Sequence, residues 1–294
     1  MPKITFCAWL SLAIAAAQPL PKTCPPGTTS NFPNPQSLAI DSCELPGSAD
    51  PKSGEGLQNA KKNNFCTQGA ATPITVANLT DLQASAAAQE AKLKYKPGTP
   101  PPDRSFLKPL GEGNLAVFEG YVFEARQECA ESVNCEAVPA NVDASHDIHI
   151  ALVGQPRKTN SQSPKPAQDA EECTGFVAEM IPHHRLAEWT ACNVNEVGAK
   201  GLRVRVTGQQ FFDASHVPCQ NGVAVGDNPK RVSLWEIHPI YAFEVCPSGD
   251  CNSGGWQKLE VFAAGKTTCQ NKPCELKTTA TKKTAVTKKA PAKE

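Results

Sequence analysis

Between Gly113 and Val245 the chain alternates apolar and polar residues in separate runs, and this alternation predicts strands. The first is the long run Leu115 to Ala125, in which Gly120 marks a bend or bulge. Asp147 to Val153 alternates strictly and stops at Gly154. Gly175 to Ile181 is a third strand, ended by Pro182. Leu202 to Thr207 sets valines on one face and Arg203 and Arg205 on the other, and Val232 to Val245 is the fifth strand. Between the third and fourth strands, Arg185 to Val197 fits a short helix closed by Gly198 and Gly201. Three strands, a helix and two strands is the order of an OB-fold, a mainly β, five-stranded Greek-key barrel. A β-sandwich needs about seven strands.

Upstream, residues 73–96 read as one helix. Thr80 is its expected cap, Asp81 suits the positive end of the dipole, and Pro97-Gly98 stops it. Residues 18–72 lack a period over most of their length and read as an irregular Pro/Gly/Asn/Ser-rich segment. The expected organisation is a signal peptide over 1–17, that irregular segment, a helix and linker over 73–110, the barrel over 111–276 and a Lys/Thr/Ala tail over 277–294. The tail has too few large apolar residues to bury, and disorder is expected there.

The N-terminus and the cysteines point to one compartment. Lys3 precedes an apolar run from Ile4 to Ala16, and Ala15-Ala16-Ala17 fits a signal-peptidase site before Gln18. That run is too short for a membrane anchor, so no transmembrane segment is expected after cleavage. Of 13 cysteines, Cys7 lies in the leader, and the 12 that remain suit a fully paired protein that is secreted or periplasmic. Cys129/Cys135, Cys246/Cys251 and Cys269/Cys274 are spaced for local loops, and none is a CxxC. The rest of the connectivity stays open.

Charge is unevenly spread. The tail carries six lysines against one glutamate. Setting aside that tail and Lys3 leaves 22 basic against 28 acidic residues over 18–276, out of 29 of each in the chain. An acidic body does not suit a grip on phosphate backbones. Contact with polyanions is expected through the tail alone.

Three motifs stand out: Asp147-x-His149; Thr207-Gly208-x-x-Phe211-x-Asp213-x-x-His216; and Trp235-Glu236-x-His238-Pro239. In these the chain resembles a group of bacterial exported proteins with an OB-like barrel, over roughly Phe65 to Cys246. The Trp-Glu-Ile-His-Pro run is the most specific part. The resemblance implies fold and compartment and no activity. The strand order also looks like that of the staphylococcal-nuclease branch of OB-folds, without the acid and arginine pattern of that branch.

Strand parity places Ile148, Ile150 and Leu152 inside the barrel, so Asp147 and His149 point outward. On the fifth strand Trp235, Ile237, Tyr241 and Phe243 share the apolar face, leaving Glu236 and His238 on the other. Candidate ligands for a divalent metal such as zinc are therefore His149, Asp213, His216, Glu236 and His238, with Glu179 a weaker addition. The structural alternative is a hydrogen-bonded sheet face, since the residues come from separate strands without compact spacing. His183-His184-Arg185 is a second candidate, an anion-binding run at a helix start; the plain alternative is a solvated turn. No nucleophile elbow, phosphate loop or dinucleotide fingerprint is present. The expected function is an exported OB-like module binding an unknown ligand, whether oligosaccharide, peptide or nucleic acid. The alternative is a divalent-metal-dependent hydrolase, with phosphodiesters as a candidate substrate class.

Overall fold

The computed structural model describes residues 47–266 apart from 65, 129–131, 134–145, 183–184, 227 and 253. The leader, the pairs Cys129/Cys135 and Cys269/Cys274, His183, His184 and the lysine tail lie outside the described residues. In chain order the elements are α1 (Gly54–Lys62), β1 (Thr72–Ile74), α2 (Val76–Leu93) and a 3₁₀ turn (Ser105–Leu110). These are followed by β2 (Leu115–Gln127), β3 (Ile148–Val153), α3 (Lys165–Glu172), β4 (Phe176–Met180), α4 (Ala191–Ala199), β5 (Arg203–Phe212), β6 (Trp235–Cys246), β7 (Gln257–Lys258) and α5 (Leu259–Ala263).

β2 to β6 close a barrel in the order β2-β3-β4-β6-β5, and β5 returns to pair with β2. All these pairings are antiparallel except β4 with β6, which run parallel. With α4 between β4 and β5, this is the OB-like Greek-key barrel that the alternation predicts. β1 adds in parallel to β2, and β7 pairs with β6.

The interior is apolar. Phe118, Ile150, Phe176, Phe212, Trp235 and Phe243 form one cluster, joined by Leu79 and Ala86 of α2 and by Val194 and Val197 of α4. Phe118 packs edge-on against Phe176 at 4.8 Å, and Phe212 against Trp235 at 5.3 Å. On β5, Val204 and Val206 point in, while Arg205 pairs outside with Glu244 at 2.7 Å and Arg203 with Glu119 at 2.6 Å.

Several expectations are corrected. The helix expected over 73–96 starts later, because residues 72–74 are a strand and Thr75 is the cap. The Thr75 side chain accepts from the Asn78 N–H, and Asn78 Oδ1 accepts from the Thr75 N–H, a reciprocal capping box. Thr80 instead donates to the Val76 carbonyl. Gly120 is no bulge. A Cβ there would lie 2.5 Å from the Val153 carbonyl oxygen, and the register shift falls between Val122 and Glu124. The helix expected from Arg185 begins at Ala191, capped by Thr190.

Tyr241 leaves the barrel face. β6 slips register against β5 on both sides of Gly208, around a cis His238–Pro239 bond. The slips return Ile240 and Phe243 to the interior and turn Tyr241 outward, where it packs with Ala60 and Ile181.

Every cysteine among the described residues is disulfide-bonded: Cys66, Cys173, Cys192, Cys219, Cys246 and Cys251. Cys246–Cys251 closes the short loop its spacing suggests, and Cys173–Cys219 joins the end of α3 to the loop after β5. Among the described residues no helix is long and apolar enough to cross a membrane.

Candidate functional site

The outer face of the barrel is charged where β3, β4, β5 and β6 meet. His149 of β3 stands opposite Glu179 of β4, and Phe211 of β5 opposite Glu236 of β6. Parity turns Asp147, His149, Glu179, Glu236, His238 and Asp213 away from the apolar interior. Outward is not exposed here. All six are buried, at 0–1% exposure. The cover is α1, within the stretch expected to be irregular.

α1 packs with the reverse of the usual amphipathicity. Its buried side chains include Gln58, Asn59 and Lys62, while Leu57 is 40% exposed. Gln58 acts as the clasp. Its Nε2 donates to Asp213 Oδ1 at 2.9 Å and to Ser215 Oγ at 2.6 Å. Its Oε1 accepts from Arg104 at 2.8 Å and from the Ala214 N–H at 3.0 Å. At the far end Gln209 donates to the carbonyls of Lys61 and His238, at 2.9 and 2.7 Å. In the first turn of α1, Gly56 lets the preceding turn approach closely, for a Cβ on it would lie 2.1 Å from the Asp50 carbonyl oxygen.

At the centre is Glu179. Its Oε2 lies 2.8 Å from His238 Nε2 and 3.7 Å from Lys62 Nζ, and its Oε1 lies 3.3 Å from His149 Nε2. His238 Nε2 is also 3.8 Å from Asp147 Oδ2. Lys62 Nζ makes a 2.6 Å ion pair with Asp213 Oδ2, which His216 Nε2 approaches at 3.5 Å. Arg231, fully buried, reaches Glu236 Oε2 at 3.3 Å. Ligand atoms of Asp147, Glu179 and His238 lie within 4.8 Å of one another, and so do those of Glu179, Asp213 and Glu236.

Burial and neighbours set the protonation. Burial alone would raise the Glu179 carboxyl, yet His149, Lys62 and His238 hold it well below the ordinary range. Asp213 is likewise lowered, since Lys62 and His216 outweigh its burial. Glu236 is pushed well above its usual value, by burial first and then by the charges of Glu179 and Asp213. Burial would lower His238, but Glu179 and Asp147 raise it to about 10.

The structure thus brings together all five expected metal-site residues. His149, Asp213, Glu236 and His238 are buried in the cluster, and His216 is at its edge, with its side chain 17% exposed. Sequence reasoning left out Lys62, Arg231 and Gln58, which give no motif, and undervalued Asp147 and Glu179. Strand pairing was the available signal, since Glu179 shares its face with His149. Arg185 is not at a helix start. Its guanidinium donates to the carbonyls of His146 at 2.6 Å and Met180 at 3.4 Å, which ties down the chain after β4. No family model, no curated protein and no solved structure matches the chain.

Proposed function

We propose that this protein is an exported OB-like binding module whose ligand is a divalent metal ion, held on the outer face of the barrel by Asp147, Glu179 and His238, with His149 beside them. The observation that carries this reading is the orientation of His238. Its Nδ1 lies 3.0 Å from the Lys62 carbonyl, which can only accept, so Nδ1 carries a proton. Without an ion the imidazolium Nε2–H faces Glu179 and Asp147, and a bound metal ion would take the place of that proton. A ring fixed by a backbone carbonyl on one nitrogen, with carboxylates at the other, is the usual support of a metal-binding histidine.

Charge supports it too. Four buried carboxylates, Asp147, Glu179, Asp213 and Glu236, face two fixed cations, Lys62 and Arg231. A divalent ion that displaced the protons held by His238 and Glu236 would leave the cluster neutral, as those two protons do without it. Nitrogen and oxygen donors without thiolate suit zinc, manganese or iron. Export rests on the leader-like N-terminus and on the disulfides. A hydrolase would need substrate at an open coordination position. With the ligands sealed beneath α1, the geometry favours holding the ion over turnover, and a small ligand over a polymer.

Elemental analysis after dialysis against zinc and manganese tests the reading. The intact protein should retain one ion per chain. Glu179→Gln and His238→Ala should retain less than about a tenth as much, the loss expected for removing a ligand. A folded, metal-free wild-type protein would refute it.

A further inference from the structure

The two groups of converging ligand atoms share Glu179. Two cation seats therefore lie side by side, one made by Asp147, Glu179 and His238, the other by Glu179, Asp213 and Glu236. They differ in chemistry. The first has an imidazole. The second is three carboxylates, and it already holds a positive charge, because Lys62 Nζ is 2.6 Å from Asp213 Oδ2 and 3.7 Å from Glu179 Oε2. The Lys62 side chain is only 4% exposed, so its ammonium is not a visiting surface charge.

Oxygens in both seats face ion-pair partners more than well-aligned hydrogen-bond donors. Glu179 Oε1 and Oε2 and Glu236 Oε1 are buried and accept no hydrogen bond of good geometry. Such atoms are costly in a protein interior unless a cation faces them. Lysine suits that task, being a compact point charge on a flexible stem. It arrives on the last turn of α1, fixed by the contacts of Gln58 and Gln209. The same residue serves both seats, since its carbonyl accepts from His238 Nδ1.

We infer that Lys62 is a built-in cation occupying the second seat, so that the cluster takes a single divalent ion, at Asp147, Glu179 and His238, with Glu179 bridging the ion and the ammonium. This rests on the metal-binding reading above. A metal ion and an ammonium cannot share the second seat, because like charges at contact distance repel strongly where water is excluded. Removing the ammonium should open that seat to a second ion.

Equilibrium dialysis of chelator-treated protein against manganese, with bound metal counted per folded chain, tests the inference. Wild-type should bind one ion. Lys62→Ala should bind two, and Lys62→Ala combined with Asp213→Asn should return to one. Wild-type protein that binds none would overturn the metal reading itself. Wild-type that binds two, or Lys62→Ala that still binds one, would overturn the role of Lys62 and leave the first seat standing. If Lys62→Ala fails to fold, Lys62→Met, of similar length and without charge, replaces it. Should neither fold, the electron paramagnetic resonance of manganese-loaded wild-type decides: an isolated ion supports the inference, and a coupled pair contradicts it.

Discussion

Tyr241 shows how one residue answers to geometry that alternation cannot reveal. Counted by twos from Trp235 and Ile237 it belongs inside the barrel, but the register slips beside Gly208 turn it out. A Cβ on Gly208 would lie 2.3 Å from the Pro239 carbonyl oxygen, so the bent strand passes there only because the residue is glycine. Outside, the Tyr241 hydroxyl donates to the Asn64 carbonyl at 2.6 Å, and burial pushes its ionisation up to about 12 from 10.0. The sign follows. The contribution of the phenol is complete below pH 10, and it is lost as pH rises toward 12, because the unfolded chain ionises first. Tyr241→Phe should be less stable at pH 8 by about 0.5–1.5 kcal/mol, the worth of one hydrogen bond. Its disadvantage should shrink between pH 10 and pH 11. Urea denaturation at the three pH values checks this, and a constant difference would contradict it.

At the scale of elements, legibility in the sequence depended on what each element buries. All five barrel strands show in the alternation, because each sets apolar residues such as Ile150 or Val206 against a common core. Parity also tells which side chains leave that core, and it groups His149, Glu236 and His238 on the other face. It could not tell that the outer side is covered. α1 was missed because it packs on charge: Gln58, Asn59 and Lys62 are buried, the lone leucine faces solvent, and no apolar stripe marks the helix. β1 is only three residues long, and α4 is set by the Thr190 cap more than by its apolar spacing. The inverted packing of α1 predicts an unusual pair of effects. Gln58→Leu should cost about 1–3 kcal/mol, since it strands the buried Ala214 N–H and a bond to Asp213. Leu57→Ser, on the exposed side, should stay within about 0.5 kcal/mol of wild-type. Chemical denaturation of both variants is the measurement. A larger cost at Leu57 than at Gln58 would mean that α1 docks by its other face.

For the whole molecule, two layers with opposite chemistry share one sheet. The barrel interior is aromatic and aliphatic, and the layer between the barrel and α1 is ionic. Disulfides such as Cys173–Cys219 brace the loops around both. The ionic layer is the costly part, because buried charges need partners in good geometry to offset their lost hydration. A bound divalent ion would supply that offset, and this is the central claim. It is tested most directly by unfolding chelator-treated protein in urea with and without manganese or zinc. Binding to the native state alone should raise the unfolding free energy by about 2.7 kcal/mol when the free ion is at a hundred times its dissociation constant. Glu179→Gln should show almost none of that gain. Equal stability of the wild-type protein with and without the ion, or the same gain in Glu179→Gln, would contradict the account.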